Sequence, residues 1–207
     1  LYSSGPGNQK IVTMKNYIFF MFIQLIFIVN LESAKSPEVK IYSTSPIGPY
    51  KIVLKQTYSI NPAKNYKVRY DLYFSHKDNT TTVFGNTTMD IPLDDTLSLG
   101  AKIALKDSTG KWKENTFIQK WPNACSTLKQ LSGNVWTTII YGLGLNHTNC
   151  PLPKGFYIAP GVDTSVLKNS NLPKTFLYGT YKLTAYYVSQ KNEIVGGQVI
   201  IVELKRP

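Results

Sequence analysis

The sequence predicts an all-β fold: an antiparallel two-sheet sandwich or cup with one or two short helical segments. Three observations predict it. Segments 66–74 and 97–105 alternate strictly between apolar and polar residues, the period of a strand with one buried face. Turn signals recur at short intervals, and no strand pattern alternates with a helical one as a parallel sheet would require. Tyrosine, a good strand former, supplies 14 of the 207 residues.

The elements follow in order. Val39 to Ser43 reads as a short strand, and Pro46-Ile-Gly-Pro49 as a turn. Tyr50 to Ile60 is a strand ended by Asn61-Pro62. In the next, Tyr66, Val68, Tyr70, Leu72 and Phe74 share one face, and Lys67, Arg69, Asp71 and Tyr73 the other. Thr81 to Ile91 is β-rich and closes at Pro92 and Asp94-Asp95, read as a solvated turn. Leu97, Leu99, Ala101, Ile103 and Leu105 share a face, and Trp112 to Ile118 pairs back across the Asp107–Gly110 turn.

Asn123 is a candidate N-cap for a helix over Ala124 to Leu131, broken at Gly133. Val135 to Leu145 is ambiguous. Val135, Trp136, Ile139, Ile140 and Leu143 match helical spacing, while β-branched content and two glycines favour extended structure. Phe156 to Ile158 resumes the sheet, Pro160 to Pro173 reads as a polar loop, and Thr180 to Ser189 forms the last hairpin with Ile194 to Leu204.

The first methionine is Met14. Lys15 and Asn16, the apolar run Tyr17 to Val29 and the small residues Ser33, Ala34 and Ser36 form a secretory-signal pattern over residues 14–34. The run falls short of the roughly 20 residues that span a bilayer. An uncleaved anchor or a buried core helix is the alternative. Residues 1–13 are expected to be an upstream, non-native or untranslated-region-derived stretch, leaving 35–207 as one secreted domain.

Secretion predicts a disulfide between Cys125 and Cys150, the alternative being two free buried thiols. It also makes Asn79, Asn86 and Asn146, each in an Asn-X-Thr sequon, candidate glycosylation sites. Two of these flank Thr80 to Gly85, a ribbon expected to face solvent if they are used.

The net charge of +11 rests almost wholly on lysine, scattered along the chain without a block. Arginine, with its phosphate- and guanine-reading fork, is nearly absent, which argues against nucleic acid. His76 and His147 stand alone, so neither a metal site nor a cysteine–histidine catalytic pair is expected. No G-x-S-x-G, H-E-x-x-H or phosphate-loop pattern occurs, and no cofactor or enzymatic activity is expected.

The segments Asn86-Thr-Thr-Met-Asp-Ile, Gly110-Lys-Trp112, Asn123-Ala-Cys125-Ser-Thr-Leu-Lys129, Asn149-Cys150-Pro-Leu-Pro-Lys-Gly155-Phe-Tyr157 and Leu172-Pro173 ahead of Tyr178-Gly-Thr-Tyr-Lys-Leu183 stand in an informative order. From Asn86 to Lys205 the chain resembles insect secreted proteins of the CheB chemosensory type. Those in turn resemble the ganglioside activator and other ML-type lipid-recognition domains. The ganglioside activator carries several disulfides where this chain has cysteines for one.

The resemblance implies a β-cup around an apolar cavity for acyl chains, with head groups at the rim. Val68, Tyr70, Leu72, Leu99, Ile103, Leu183 and Tyr187 would point inward. Trp136, Ile140 and Leu143 would lie on a mobile apolar loop near the mouth. An ordinary packed core accounts for the same residues, since alternation reports burial alone. The expected function is therefore a secreted, non-enzymatic binding protein for lipids or other hydrophobic small molecules, with lysines drawing it to anionic membrane surfaces. The alternative is a secreted interaction module for a receptor or accessory protein, anchored by Tyr73, Tyr186 or Trp121.

Overall fold

The computed structural model describes residues 45–77 and 80–207. The expectations for residues 1–13, the signal segment 14–34, the strand Val39 to Ser43 and Asn79 lie outside them. The strands are β1 (Ile47–Pro49), β2 (Lys51–Ser59), β3 (Val68–Lys77), β4 (Thr80–Met89), β5 (Ser98–Lys106), β6 (Trp112–Trp121), β7 (Gly155–Asp163), β8 (Thr175–Leu177), β9 (Gly179–Val188) and β10 (Ile194–Lys205). Two helices, α1 (Ala124–Ser132) and α2 (Trp136–Gly142), lie between β6 and β7.

Eight strands form one hydrogen-bonded path, β6-β5-β9-β10-β3-β4-β7, with β2 also on β10. The step from β10 to β3 is a single parallel pair, Gly196 with Val68. A Cβ on Gly196 would collide with the Val68 backbone, so only glycine lets the strands touch there. On either side of that join all pairing is antiparallel. The path is therefore two layers, β2-β10-β9-β5-β6 and β3-β4-β7. They face each other, because Leu54, Ile52, Ile200 and Val202 of one pack with Val83, Val162, Leu72 and Phe74 of the other. This is the antiparallel two-sheet sandwich that the alternation predicts.

Register sets which of these residues share a face. Val68, Tyr70, Leu72 and Phe74 pair with Met89, Thr87, Gly85 and Val83, and Leu99 and Ile103 pair with Tyr187 and Leu183. Directly opposed residues share a face, and Val68, Leu72, Phe74, Val83, Leu99 and Tyr187 turn theirs into the apolar clusters between the layers.

Local readings failed where a distant partner decides. The Pro46–Pro49 turn is instead β1, which pairs with β8, an element the sequence did not suggest. The loop expected after Pro160 holds the end of β7 and a 3-10 turn, Thr164–Asn169, capped by the Asp163 carboxylate accepting from the Ser165 N–H at 2.8 Å. Helix α1 begins as expected, but Asn123 does not cap it: its φ is 54° and its side chain makes no cap bond. Asp95 does so from across the chain, accepting from the Ser126 N–H at 2.8 Å and the Ser126 hydroxyl at 2.5 Å. These bonds hold the Asp95 carboxyl below the usual carboxylate range. Asp94 accepts from the Thr96 hydroxyl and N–H, a local turn contact.

Within the ambiguous 135–145 segment, Trp136–Gly142 is α-helical after a 3-10 turn at Gly133–Val135, and 143–145 is not helical. Gly144, at φ 87°, ends the helix and leaves the chain room to lie against the Ile158 backbone.

Candidate ligand-binding site

The two ends of the sandwich differ. At one end, Val68 of β3, Met89 of β4, Leu99 of β5 and Tyr187 of β9 form a cluster with Ala124 and Cys125 of α1, Trp136 and Ile140 of α2, and Leu93, Leu97, Leu145 and Leu152. Each is nine-tenths buried or more. The Cys125–Cys150 disulfide expected from the sequence ties α1 to the segment after α2, with Cα atoms 5.9 Å apart. The Trp136 indole N–H donates to the Thr148 carbonyl at 2.6 Å, which satisfies its one polar atom within the cluster. An isolated bridge between Leu93 and Leu152 lies across the same end.

At the other end lie the start of β2, the finish of β10, the β3–β4 ends and the finish of β7. Between them opens a cleft of about 960 Å³. Its apolar walls include Tyr50, Ile52, Val53, Leu167, Leu172 and Pro173. Its basic groups are Lys51, Lys77, Lys168, Lys174, Lys205 and Arg206, and Asp163 is its one acidic residue. Lys174 donates to the Lys168 and Ser170 carbonyls, Lys205 lies 3.4 Å from Glu203, and Arg206 donates to the Ser45 carbonyl and covers the Tyr178 ring. Lys51, Lys77 and Lys168 have no acidic partner among the described residues. The result is a concave, half-apolar surface with uncompensated positive charge, suited to a ligand that joins a negative group to a greasy one.

Ile52 lines the cleft and also packs in the apolar cluster behind it. Behind that cluster the interlayer turns polar. The Tyr70 and Tyr187 hydroxyls meet across the layers at 2.7 Å, and the Gln198 amide donates to the Thr57 hydroxyl at 2.5 Å. Burial first, then the neighbouring Tyr187, pushes the Tyr70 hydroxyl well up, and burial pushes Tyr187 up.

The fold separates the expected ligand-contacting residues. Val68, Leu99, Trp136, Ile140 and Tyr187 are buried in the closed-end cluster, with Tyr70 and Leu143 against it. Leu72 belongs to the cluster behind the cleft. Ile103 and Leu183 are paired and half-buried on the inner face of β5 and β9. The placement of Trp136, Ile140 and Leu143 on a loop at the mouth is corrected: they sit on and just after α2, and none of them lines the cleft. The indole needs both apolar cover and one acceptor, and the closed end supplies both.

Sequence reasoning missed the cleft's cations, because they are remote in the chain. It also missed Thr87 and Gln198, whose only signal was a polar residue at an inward position of a strand. Asn86 is half-buried on the outer face of β4, between Asp71 and Ile158, and Asn146 is exposed after α2. The ribbon Thr80 to Gly85 faces solvent on one side only, since Val83 is buried. Of the expected protein anchors, Tyr73 is 61% exposed. Tyr186 is half-buried with Lys102 over its ring, and Trp121 packs against the core. Among the described residues no group of three or more histidines, cysteines or acids could hold a metal, and no helix is long and apolar enough to cross a membrane.

No protein-family model and no curated protein matches the chain. Among solved structures it is similar to chicken MD-1 complexed with lipid IVa, at 15% identity and a TM-score of 0.32, over 74% of this chain and 97% of that one.

Proposed function

We propose that this chain is a secreted, non-enzymatic binding protein for amphiphilic lipids. The acyl part lies between the two layers, and an anionic head group lies at the lysine-lined cleft. The observation that carries the reading is the cleft itself, apolar-walled and positively charged, opening onto an apolar cluster between two sheets. Burial of hydrocarbon supplies the affinity, at about 25 cal/mol per Å². The lysines steer the protein toward anionic lipid or an anionic membrane surface. Asn86 and Asn146 lie outside this path and would carry glycans without obstructing it.

The test is expression through a secretory pathway, gentle purification, solvent extraction and mass spectrometry of what co-purifies. A lipid at near-stoichiometric amount, displaceable by a fluorescent fatty acid, is the expected result. A protein that emerges empty and binds no fluorescent fatty acid at micromolar concentration overturns the reading.

One observation favours a second reading, a docking module for a receptor or accessory protein. The outer face of β3-β4-β7 carries Tyr73 stacked on Phe84, with Phe156 and Ile158 more than half exposed. Saturable, lipid-independent capture of one secreted partner, lost on Ile158→Lys, would favour it.

A further inference from the structure

Two buried polar atoms among the described residues have no partner: the Thr87 hydroxyl and the Gln198 side-chain oxygen. Thr87 is 2% exposed and Gln198 6%. Both lie on inward faces. Thr87 pairs with Tyr70 on one layer, and Gln198 lies two residues beyond Gly196, the partner of Tyr187, on the other. By register they flank the level at which the Tyr70 and Tyr187 hydroxyls meet.

The chemistry of this level is defined. The Thr57 hydroxyl donates to the Val199 carbonyl at 3.0 Å, so it accepts from the Gln198 NH₂. That orients the amide and leaves its oxygen as the unused acceptor. Burial keeps both tyrosines protonated. One hydroxyl donates to the other, and the second proton is left over. The level offers a spare acceptor at Gln198, a spare donor at the tyrosine pair and a hydroxyl that does both at Thr87. An alcohol, which donates one hydrogen bond and accepts others, complements that set. A hydrocarbon end leaves it unsatisfied.

The level lies deep. The strand from Gln198 to Lys205 at the cleft covers about 23 Å at 3.3 Å per residue. The apolar side chains of Leu72, Ile200 and Val202 occupy the interval. A chain entering from the cleft reaches the level by displacing them.

We propose that the interior ends in a hydrogen-bonding floor, formed by Thr87, Gln198 and the Tyr70–Tyr187 pair, that selects an acyl chain bearing a hydroxyl at its buried end. This deepens the proposed function and rests on it. The ligand class is an ω-hydroxylated fatty acid, with the carboxylate at the lysines and the hydroxyl at the floor.

The test is displacement of a fluorescent fatty acid from the full chain by palmitic acid and by ω-hydroxypalmitic acid. Burying a hydroxyl in a plain apolar pocket weakens binding, so the default and the proposal predict opposite signs. The expected result is about fivefold tighter binding of the hydroxy acid. The preference should vanish or invert in Thr87→Val, a near-isosteric change, and in Gln198→Leu. Either variant alone suffices if the other does not fold. Equal or tighter binding of palmitic acid by the native chain overturns the floor and leaves the lipid reading standing. So does a hydroxyl preference that survives in a folded variant. Binding of neither acid overturns both.

Discussion

The closed and open ends of the sandwich use similar inward residues to opposite effect. At the closed end helices, a disulfide and a tryptophan with its one polar atom satisfied seal the interlayer. At the open end the strands finish on lysines, and inner-face side chains such as Ile52, Leu72 and Ile200 remain only partly buried. The contrast teaches that a sealed end and an open, charged end are divided along the strand axis. One end supplies most of the buried packing, and the other presents the cleft.

The largest effect should come from breaking the closed end. Trp136→Ala removes a buried indole and exposes the Thr148 carbonyl, and should cost about 3–5 kcal/mol in denaturant unfolding. Ile52→Ala, at the open end, should cost clearly less while weakening fluorescent-lipid binding more. If the two variants destabilise equally, the division of labour fails.

Next in size is the disulfide. Replacing Cys125 and Cys150 together by alanine releases a loop with a sequence separation of 25, worth about 3 kcal/mol in the chain-entropy model. Thermal unfolding with and without reductant measures it. Lipid binding by the fraction that remains folded should persist.

Asp95 sharpens the comparison at one helix. Asp95→Ala strips the start of α1 of its acceptor and should cost about 1 kcal/mol. The folded pKa lies below the unfolded value of about 3.9. The contribution is therefore complete above that value and lost as pH falls through the depressed folded pKa. In acid-unfolding curves the variant should show a shallower loss than the native chain, and identical curves would remove Asp95 from the account.

The smallest effect on stability, within about 0.5 kcal/mol, is expected for surface charge at the cleft. Lys51→Glu with Lys168→Glu should still reduce binding to anionic vesicles by about tenfold or more. The difference should shrink at high salt, where the Debye length falls to about 3 Å. Vesicle co-sedimentation at two salt concentrations reads both.

Much of the fold was legible in the chain, for a local reason. A strand with one buried face writes its period into consecutive residues, so Val68, Tyr70 and Leu72, or Leu99 and Ile103, announce their face without any partner. The helix at 124–132 was legible too, but its cap was not. Asn123 has the right chemistry beside the helix and the wrong backbone, while the capping Asp95 lies in a turn before β5.

What the sequence by itself determined is the β class, the inward set of the long strands and the cysteine pair available for one staple. Alternation, turn residues and redox chemistry act over a few residues or on residue identity alone. Only the tertiary structure decided which end is sealed and which is open, that Trp136 and Ile140 belong to the sealed one, and that lysines from 51 to 205 converge on a single cleft. Charge scattered along a chain carries no information about where it gathers. That follows from strand order and register, and these are set by contacts between residues far apart in sequence.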